Sequence, residues 1–216
     1  MKKEFEKRIL SSIILIPLSF FFIIEGSFLF NIFLIVCSLV TFYEWYLMSK
    51  RKKYLLPGYL YLIFAFFCTY SLRNDFGGES LSTFLLIIII CISTDIGGYL
   101  FGKTFKGPKL TKISPNKTYS GMLGGYFLSI ISINLYYHYS NLFFSNLLNF
   151  TLKTLFIVLL ISTISQIGDI IISYFKRLSK IKNTGKIIPG HGGLLDRIDG
   201  MIFAFPFSYL ILSINL

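Results

Sequence analysis

Residues 166–200 read QIGDIIISYFKRLSKIKNTGKIIPGHGGLLDRIDG, and this stretch connects two apolar segments of the chain. The stretch begins inside an apolar run, leaves it through Lys176 and Arg177, and turns through several glycines. It enters the second apolar run behind Asp196 and Asp199. Acidic, basic and glycine residues are thus concentrated between two hydrophobic segments, which is the pattern of a polar loop held at a membrane surface.

The composition of the whole chain indicates a membrane protein. Of its 216 residues, 54% are hydrophobic and only 14% are charged, and the mean hydropathy is +0.70. A soluble domain carries about 25% charged residues. Runs such as residues 84–92 are apolar on every face. The sequence therefore predicts a polytopic integral membrane protein of the all-α class.

Seven segments are long and apolar enough to cross a bilayer, since a spanning helix needs about 20 mostly apolar residues. The predicted spans are residues 9–25, 28–48, 55–72, 81–102, 119–139, 152–175 and 200–216. The first segment is interpreted as a retained helix rather than a signal peptide, because its apolar run is long, no cleavage site follows it and another span begins at once.

The basic residues predict the orientation of these spans. All Lys and Arg residues except Arg73 and Lys153 lie at the amino terminus or in the loops after the second, fourth and sixth spans. By the positive-inside rule the amino terminus and these loops are cytoplasmic. The two long loops, residues 103–118 and 176–199, then face the same compartment. We therefore expect the functional site at the cytoplasmic side, between these loops.

The net charge of +11 does not indicate nucleic-acid binding. The cations lie in short loops between apolar spans, where they orient the helices and attract anionic lipid headgroups. The sequence contains no basic helix interleaved with aromatic residues and no nucleic-acid-binding motif. The lipid bilayer is the expected partner of these charges.

Acidic residues inside predicted spans mark candidate sites, because an ionisable group there costs at least a few kcal/mol. Glu44 lies close to Lys50 and Arg51 and is interpreted as a boundary residue whose side chain reaches toward the interface. Asp95 and Asp169 lie deeper and beside glycines, which let helices approach each other or line a water-filled cleft. Asp169 is interpreted as functional, and the role of Asp95 stays open.

An acid, a hydroxyl and two cations share one face of the predicted helix that begins the stretch. Ser173 lies four positions after Asp169, and Lys176 and Arg177 follow on the same face. The arrangement points these groups in one direction at the membrane surface.

Asp196 and Asp199 are spaced for one face at the start of the last span. Capping of a helix amino terminus needs only one acid. Arg197 lies between them, behind a flexible segment, residues 189–193, whose backbone N–H groups can surround a phosphate. Carboxylates together with phosphate oxygens are the usual environment of Mg²⁺. The stretch therefore favours a site for a metal-bound triphosphate.

Two further groups of residues are weaker candidates. His191 is a single imidazole, interpreted as a phosphate hydrogen-bonding group or a part of the loop rather than a metal ligand. Ser114, Asn116 and Lys117 offer hydrogen-bond donors in the 103–118 loop. A polar turn that simply returns the chain to the membrane explains these three residues equally well, and that alternative stays open.

Taken together, these motifs resemble the signature of phosphatidate cytidylyltransferases, also called CDP-diacylglycerol synthases. The matching segments are SxxKR at 173–177, Lys182, PGHGGxxDRxD at 189–199, GD at 168–169, STDIGGYLFG at 93–102 and SPNKT at 114–118. The resemblance covers about residues 93–200. Two positions depart from the family's pattern: Asn183 stands where Asp is usual, and Ser120 stands where Glu is usual.

The resemblance implies transfer of a cytidylyl group from CTP to phosphatidic acid, giving CDP-diacylglycerol and pyrophosphate in phospholipid biosynthesis. It implies one or two Mg²⁺ ions held by Asp169, Asp196 and Asp199. Catalysis is assigned to these three acids with Lys176 and Arg177. Substrate binding is assigned to Lys182, His191, Arg197, Ser114, Asn116, Lys117 and Ser173.

The chain is also expected to divide by function. Residues 1–80 are expected to anchor the protein, and residues 81–216 to form the catalytic membrane region. The expected location is a bacterial inner membrane, with an organellar inner membrane as the alternative, and the expected partners are the two substrates and the bilayer.

Two other functions stay open. Buried acids and glycine-interrupted helices also suit a transporter, although the acids cluster near one surface. The Asn183 and Ser120 departures leave room for a non-catalytic relative. The choice between CTP and dCTP, the acyl-chain preference, the number of metal ions and the existence of a homodimer stay open as well.

Overall fold

The computed structural model describes residues 2–75, 80–143, 150–188, 190 and 192–214. Its helices are α1 (Lys2–Glu25), α2 (Ser27–Ser49), α3 (Leu55–Asn74), α4 (Ser80–Phe105), α5 (Tyr119–Phe143), α6 (Leu152–Leu178), α7 (Leu195–Ile198) and α8 (Met201–Ile214). In the described residues, β-pairing is limited to two isolated bridges, Lys109 with Thr118 and Ile188 with Gly192. The predicted all-α class is confirmed.

Each predicted span overlaps one helix, and the ends agree to within about four residues, except that α1 begins at Lys2, well before the predicted start at residue 9. Within the described part of the chain, four helices, α2, α3, α4 and α6, are long and apolar enough to cross a membrane. Large apolar side chains such as Leu39 and Leu60 are exposed on these helices, which suits contact with lipid tails rather than water. The chain is therefore an all-helical membrane protein.

The four-residue α7 is the element that the sequence did not predict. It is too short to show a hydrophobic period, and the predicted last span began after it, at residue 200. Asp196 instead lies within α7, and Asp199 follows it, while the last long helix begins at Met201. The two acids therefore lie on a short helix and directly after it, immediately before the last span, whose predicted start at residue 200 agrees with the structure to within one residue.

Packing divides the chain into two compact units. The first comprises residues 1–81 and 175–199, and the second comprises residues 82–174 and 200–216. The 175–199 segment thus packs with the amino-terminal helices. The boundary expected at residue 80 divides the chain by function, not by packing, and it stays a prediction.

The first unit is built around Trp45 of α2. Its indole Nε1 donates a hydrogen bond to the Leu55 carbonyl (3.1 Å), and its ring meets Tyr54 and Phe175 edge to face. A Cβ on Gly58 would lie 1.9 Å from this ring, so α3 approaches α2 closely only because residue 58 is glycine. The end of α6 is thereby held against α2 and the start of α3.

The second unit depends on a close approach of α4 and α5. A Cβ on Gly97 would lie 2.3 Å from the Gly124 carbonyl oxygen, and a Cβ on Gly121 would lie 2.7 Å from the Gly98 carbonyl oxygen. Helix α6 joins them through a hydrogen bond between the hydroxyls of Thr94 and Ser162 (2.8 Å). The small residues beside Asp95 therefore do bring helices together.

Candidate functional site

In the first unit, the structure brings together Lys176, Asp196 and Asp199. The Lys176 Nζ lies 2.9 Å from Asp196 Oδ1 and 3.8 Å from Asp199 Oδ2. The Lys176 residue is only 8% exposed, so this cation lies among carboxylates rather than in solvent. Opposite charges in such a partly buried place interact more strongly than on an open surface.

Asp196 also holds the loop that precedes it. Its Oδ2 accepts hydrogen bonds from the backbone N–H groups of Thr184 (2.9 Å) and Gly193 (3.1 Å). Neither donor belongs to α7, so Asp196 does not cap its own helix. One carboxylate thus connects the loop, α7 and Lys176 at the end of α6.

The environment of Glu44 differs from the one that the sequence predicted. It was expected to reach toward the membrane interface, yet it is 0% exposed. Its Oε1 accepts the Leu194 N–H (2.9 Å), and its Oε2 accepts the Leu195 N–H (2.8 Å) and the Thr184 hydroxyl (2.9 Å). A carboxyl group can be buried when hydrogen bonds from the protein replace those from water. The donors to Glu44 lie far from it in sequence, so the local sequence around Glu44 does not predict them.

The glycines of the loop are required by this packing. A Cβ on Gly193 would lie 2.1 Å from Thr184 Oγ1 and 2.4 Å from Glu44 Oε2. Gly192 has φ +93°, and a Cβ there would meet Asp196 Oδ2 at 3.0 Å. Of the N–H groups of residues 189–193 that were expected to surround a phosphate, that of Gly193 is directed at Asp196, and the next two N–H groups, of Leu194 and Leu195, are directed at Glu44.

The remaining predicted residues of this loop are exposed cations. Arg177, Lys182 and Arg197 are all exposed, and Arg177 donates a hydrogen bond to the Ile181 carbonyl (3.4 Å). Asn183 lies beside Gly192, since a Cβ on that glycine would lie 3.5 Å from Asn183 Cβ. Pro189 and His191 lie outside the described residues.

The second unit contains a cavity of about 310 Å³. Its polar lining includes Asp95, Ser114, Asn116, Lys117, Thr118, Gln166 and Asp169. The predicted donors of the 103–118 loop therefore share one cavity with Asp169, and their role in substrate binding stays a prediction. Asp95, whose role the sequence left open, lines the same cavity.

Asp169 is held on both oxygens. The Lys117 Nζ lies 2.5 Å from Asp169 Oδ2, and the Ser173 hydroxyl donates to Asp169 Oδ1 (3.3 Å). Lys117 also donates to the Gln166 carbonyl (3.3 Å). The side chains of Lys117 and Asp169 remain 22% and 30% exposed, so both are partly accessible to solvent.

The base of this loop is closed by Ser120, one of the two departures from the family pattern. Its hydroxyl donates a hydrogen bond to the Lys106 carbonyl and contacts the Thr118 hydroxyl. Inside the loop, Leu110 N–H donates to the Lys117 carbonyl (2.8 Å). Lys117 is thus carried on a hydrogen-bonded turn rather than on a loose segment.

The carboxyl groups suit a metal ion that takes few protein ligands. Among the described residues, no group of three or more His, Cys, Asp or Glu side chains is placed to hold a metal. Two carboxyl groups meet at Lys176 in the first unit, and two line the cavity of the second. Mg²⁺ is commonly held by one or two carboxylates, with water and substrate phosphates completing its shell, so each pair has the kind of donors that the ion takes, and the assignment of Mg²⁺ to Asp169, Asp196 and Asp199 stays a prediction.

Comparison with known proteins gives a consistent result. A profile of the cytidylyltransferase family matches residues 6–80 and 59–215. A phosphatidate cytidylyltransferase of Rickettsia felis is 37% identical over 97% of this chain and 93% of the relative, and that of Rickettsia typhi is 36% identical over 95% and 90%. A Staphylococcus aureus protein of the same name is 41% identical over 62% of this chain and 50% of the relative.

Proposed function

The chain belongs to the cytidylyltransferase family, and from this premise we propose that it transfers a cytidylyl group from CTP to phosphatidic acid. The products are CDP-diacylglycerol and pyrophosphate, so the protein is a nucleotidyltransferase of phospholipid biosynthesis. The observation that carries this function is the 37% identity to a phosphatidate cytidylyltransferase over 97% of the chain. The resemblance found in residues 93–200 is thereby extended to almost the whole sequence.

The reaction makes modest demands on acid–base chemistry. An oxygen of the phosphatidic acid phosphate forms a bond to the α-phosphorus of CTP, and the bond from that phosphorus to the β-phosphate oxygen breaks. A phosphate monoester is mostly dianionic at pH 7, because its second pKa is about 6, so the nucleophile needs no strong base. The protein's task is to position two anions and to neutralise their charge.

The cations of the first unit suit that task. We assign Lys176, Arg177, Lys182 and Arg197 to the phosphate groups of the substrates. Three of them are exposed, and Lys176 is held in place by Asp196 and Asp199. An ammonium group that is already oriented loses little freedom when a phosphate arrives, which favours stabilisation of charge in the transition state.

The cavity of the second unit suits a polar part of a substrate. We assign Ser114, Asn116, Lys117 and Ser173 to substrate binding, with Asp169 beside Lys117. Asp169, Asp196 and Asp199 are the candidates for holding Mg²⁺. When bound, Mg²⁺ would neutralise charge on phosphate oxygens. His191, which lies outside the described residues, keeps its assignment to substrate binding as a prediction.

The membrane arrangement is part of the proposal. We infer seven spans, a cytoplasmic amino terminus and cytoplasmic 103–118 and 176–199 loops, in a bacterial inner membrane. The long helices at the predicted spans and the uneven distribution of Lys and Arg support this arrangement. A homodimer is compatible with it.

The test is incorporation of labelled CTP into a chloroform-soluble product. Membranes with the natural chain or with Asp169→Asn are compared, and phosphatidic acid and Mg²⁺ are each added or withheld. We expect product only with both additions, and at least about a hundredfold less of it from the variant. No product from well-expressed natural chain would contradict the proposed function, and full activity without Mg²⁺ would contradict the metal assignment.

A further inference from the structure

We propose that Glu44 is a positioning residue of the transferase, which fixes the 184–195 loop so that Asp196 keeps Lys176 in place. The expected effect on the reaction rate rests on the proposed function. It assigns a role in the reaction to α2, a helix of the region that was expected only to anchor the protein.

The first argument is the number and origin of the hydrogen bonds to Glu44. Both carboxyl oxygens are used, and the three donors are the backbone N–H groups of Leu194 and Leu195 and the hydroxyl of Thr184. All three donors belong to the loop and the start of α7. The loop is therefore tied to α2 at both of its ends by one side chain.

The second argument is the cost of losing these bonds. Glu44 is fully buried, and the ion pairs found among the described residues do not include it. Within the described part of the chain, the carboxyl group is held by these three hydrogen bonds. A buried carboxyl group that loses its donors is strongly disfavoured, so the loop is held in the one position that supplies all three.

The third argument is that the loop's donors are shared between Glu44 and Asp196. Thr184 gives its hydroxyl to Glu44 and its N–H to Asp196 (both 2.9 Å). Gly193 gives its N–H to Asp196, and the next two residues give theirs to Glu44. The loop can therefore leave Glu44 only by disturbing Asp196 as well.

Because the loop holds Asp196 in place, Asp196 in turn holds Lys176, a proposed catalytic group, in position. The Asp196 Oδ1 lies 2.9 Å from the Lys176 ammonium. A displacement of about 1 Å in a reacting group can lower a rate by about a hundredfold. Glu44 is thus expected to influence the rate without contacting either substrate.

Glu44→Gln is the main variant. The amide keeps the size of the side chain, but its NH₂ group must face either the Leu194 N–H or the two donors that now bind Oε2. A donor then meets a donor, and at least one of the three bonds is lost. Thr184→Val is a milder variant that removes only the hydroxyl contact, and Glu25→Gln is the matched control at an exposed glutamate.

Two measurements are made on the full chain purified in detergent and shown to be folded by gel filtration. The first is kcat and KM for CTP and phosphatidic acid per folded molecule. We expect kcat to fall by about ten- to a hundredfold in Glu44→Gln and by about three- to tenfold in Thr184→Val. We expect KM to change little and Glu25→Gln to match the natural chain.

The second measurement needs no activity. A limiting amount of an amine-acetylating reagent is added, and labelling of Lys176 is compared with that of the exposed Lys180 by peptide mass spectrometry. We expect the Lys176 to Lys180 ratio to rise several-fold in Glu44→Gln and less in Thr184→Val. If Glu44→Gln does not fold, Thr184→Val decides by the same two measurements.

The outcomes separate this inference from the proposed function. Unchanged Lys176 labelling overturns the inference whatever the rate, and increased labelling with unchanged kcat overturns it as well. An inactive natural chain would instead refute the transferase, and the labelling ratio would still show whether Glu44 holds Lys176 in place.

Discussion

At the scale of single residues, Lys176 is shared by two carboxyl groups at unequal distances. Asp196 lies 2.9 Å from its ammonium and Asp199 lies 3.8 Å from it. Asp196 has in addition two backbone donors on its other oxygen. The two acids look equivalent in the sequence, but the structure gives Asp196 the larger part in holding Lys176 and the loop.

Asp196→Asn is therefore expected to lower activity more than Asp199→Asn. In Asp196→Asn, the amide NH₂ group would face either the Lys176 ammonium or the backbone N–H groups of Thr184 and Gly193. In both orientations a hydrogen-bond donor faces another donor. We expect kcat to fall by about a hundredfold for Asp196→Asn and by about tenfold for Asp199→Asn. Steady-state rates with saturating CTP measure this, and a larger loss for Asp199→Asn would contradict the order.

At the scale of helices, glycines decide which surfaces meet in the second unit. Gly97 and Gly98 are neighbours on α4, yet they face different surroundings. A Cβ on Gly97 would lie 2.3 Å from a backbone oxygen of α5, whereas a Cβ on Gly98 would meet its nearest atom, the Gly121 carbonyl oxygen, at 3.7 Å. The first distance is a clash that only movement of a helix can relieve, and the second is ordinary contact.

This pair gives a matched test of the α4–α5 contact. Gly97→Ala is expected to destabilise the folded protein by about 1–3 kcal/mol, because an added methyl group forces the helices apart. Gly98→Ala adds the same methyl group to the same helix without a clash and is expected to be nearly neutral. Thermal unfolding of each variant in detergent measures the difference. Equal unfolding midpoints for the two variants would show that the helices do not meet in this way.

The same scale shows how much of the molecule the sequence could predict. The long helices were predictable because about 20 apolar residues admit few other structures in a membrane. The grouping of Lys176 with Asp196 and Asp199 was predictable because they lie within 24 residues of one polar stretch. The role of Glu44 was not, since its hydrogen bond to Leu195 joins residues 151 positions apart.

Local patterns misplaced Glu44 and left the role of Asp95 open, because tertiary packing sets the environment of both residues. Glu44 has cations nearby in sequence, which suggested an interfacial side chain, but burial against the loop decided its position. Asp95 gave no clear signal, although the structure places it in the cavity that Asp169 lines. In both cases the sequence signal was an acidic residue inside an apolar helix. For Glu44, the sequence did not indicate which groups donate hydrogen bonds to it.

At the scale of the whole molecule, the positive-inside pattern predicts an odd number of spans. Arg73 and Lys153 are the two cations outside the pattern, and Arg73 has a structural reason for its position. Its guanidinium donates hydrogen bonds to the Ile23 and Ile24 carbonyls (3.0 and 3.3 Å) at the end of α1. These carbonyls have no partner within the helix, so Arg73 is explained by capping and does not count against the orientation.

Reporter fusions test this topology directly. Green fluorescent protein fluoresces only when it folds in the cytoplasm, and alkaline phosphatase is active only outside it. We expect fluorescence from fusions after residues 53, 110 and 186, and phosphatase activity from fusions after residues 75 and 150. A fusion to residue 216 is decisive, because seven spans put the carboxyl terminus outside. Fluorescence there would mean an even number of spans and, with a cytoplasmic amino terminus retained, would contradict the proposed arrangement, whereas phosphatase activity would support it.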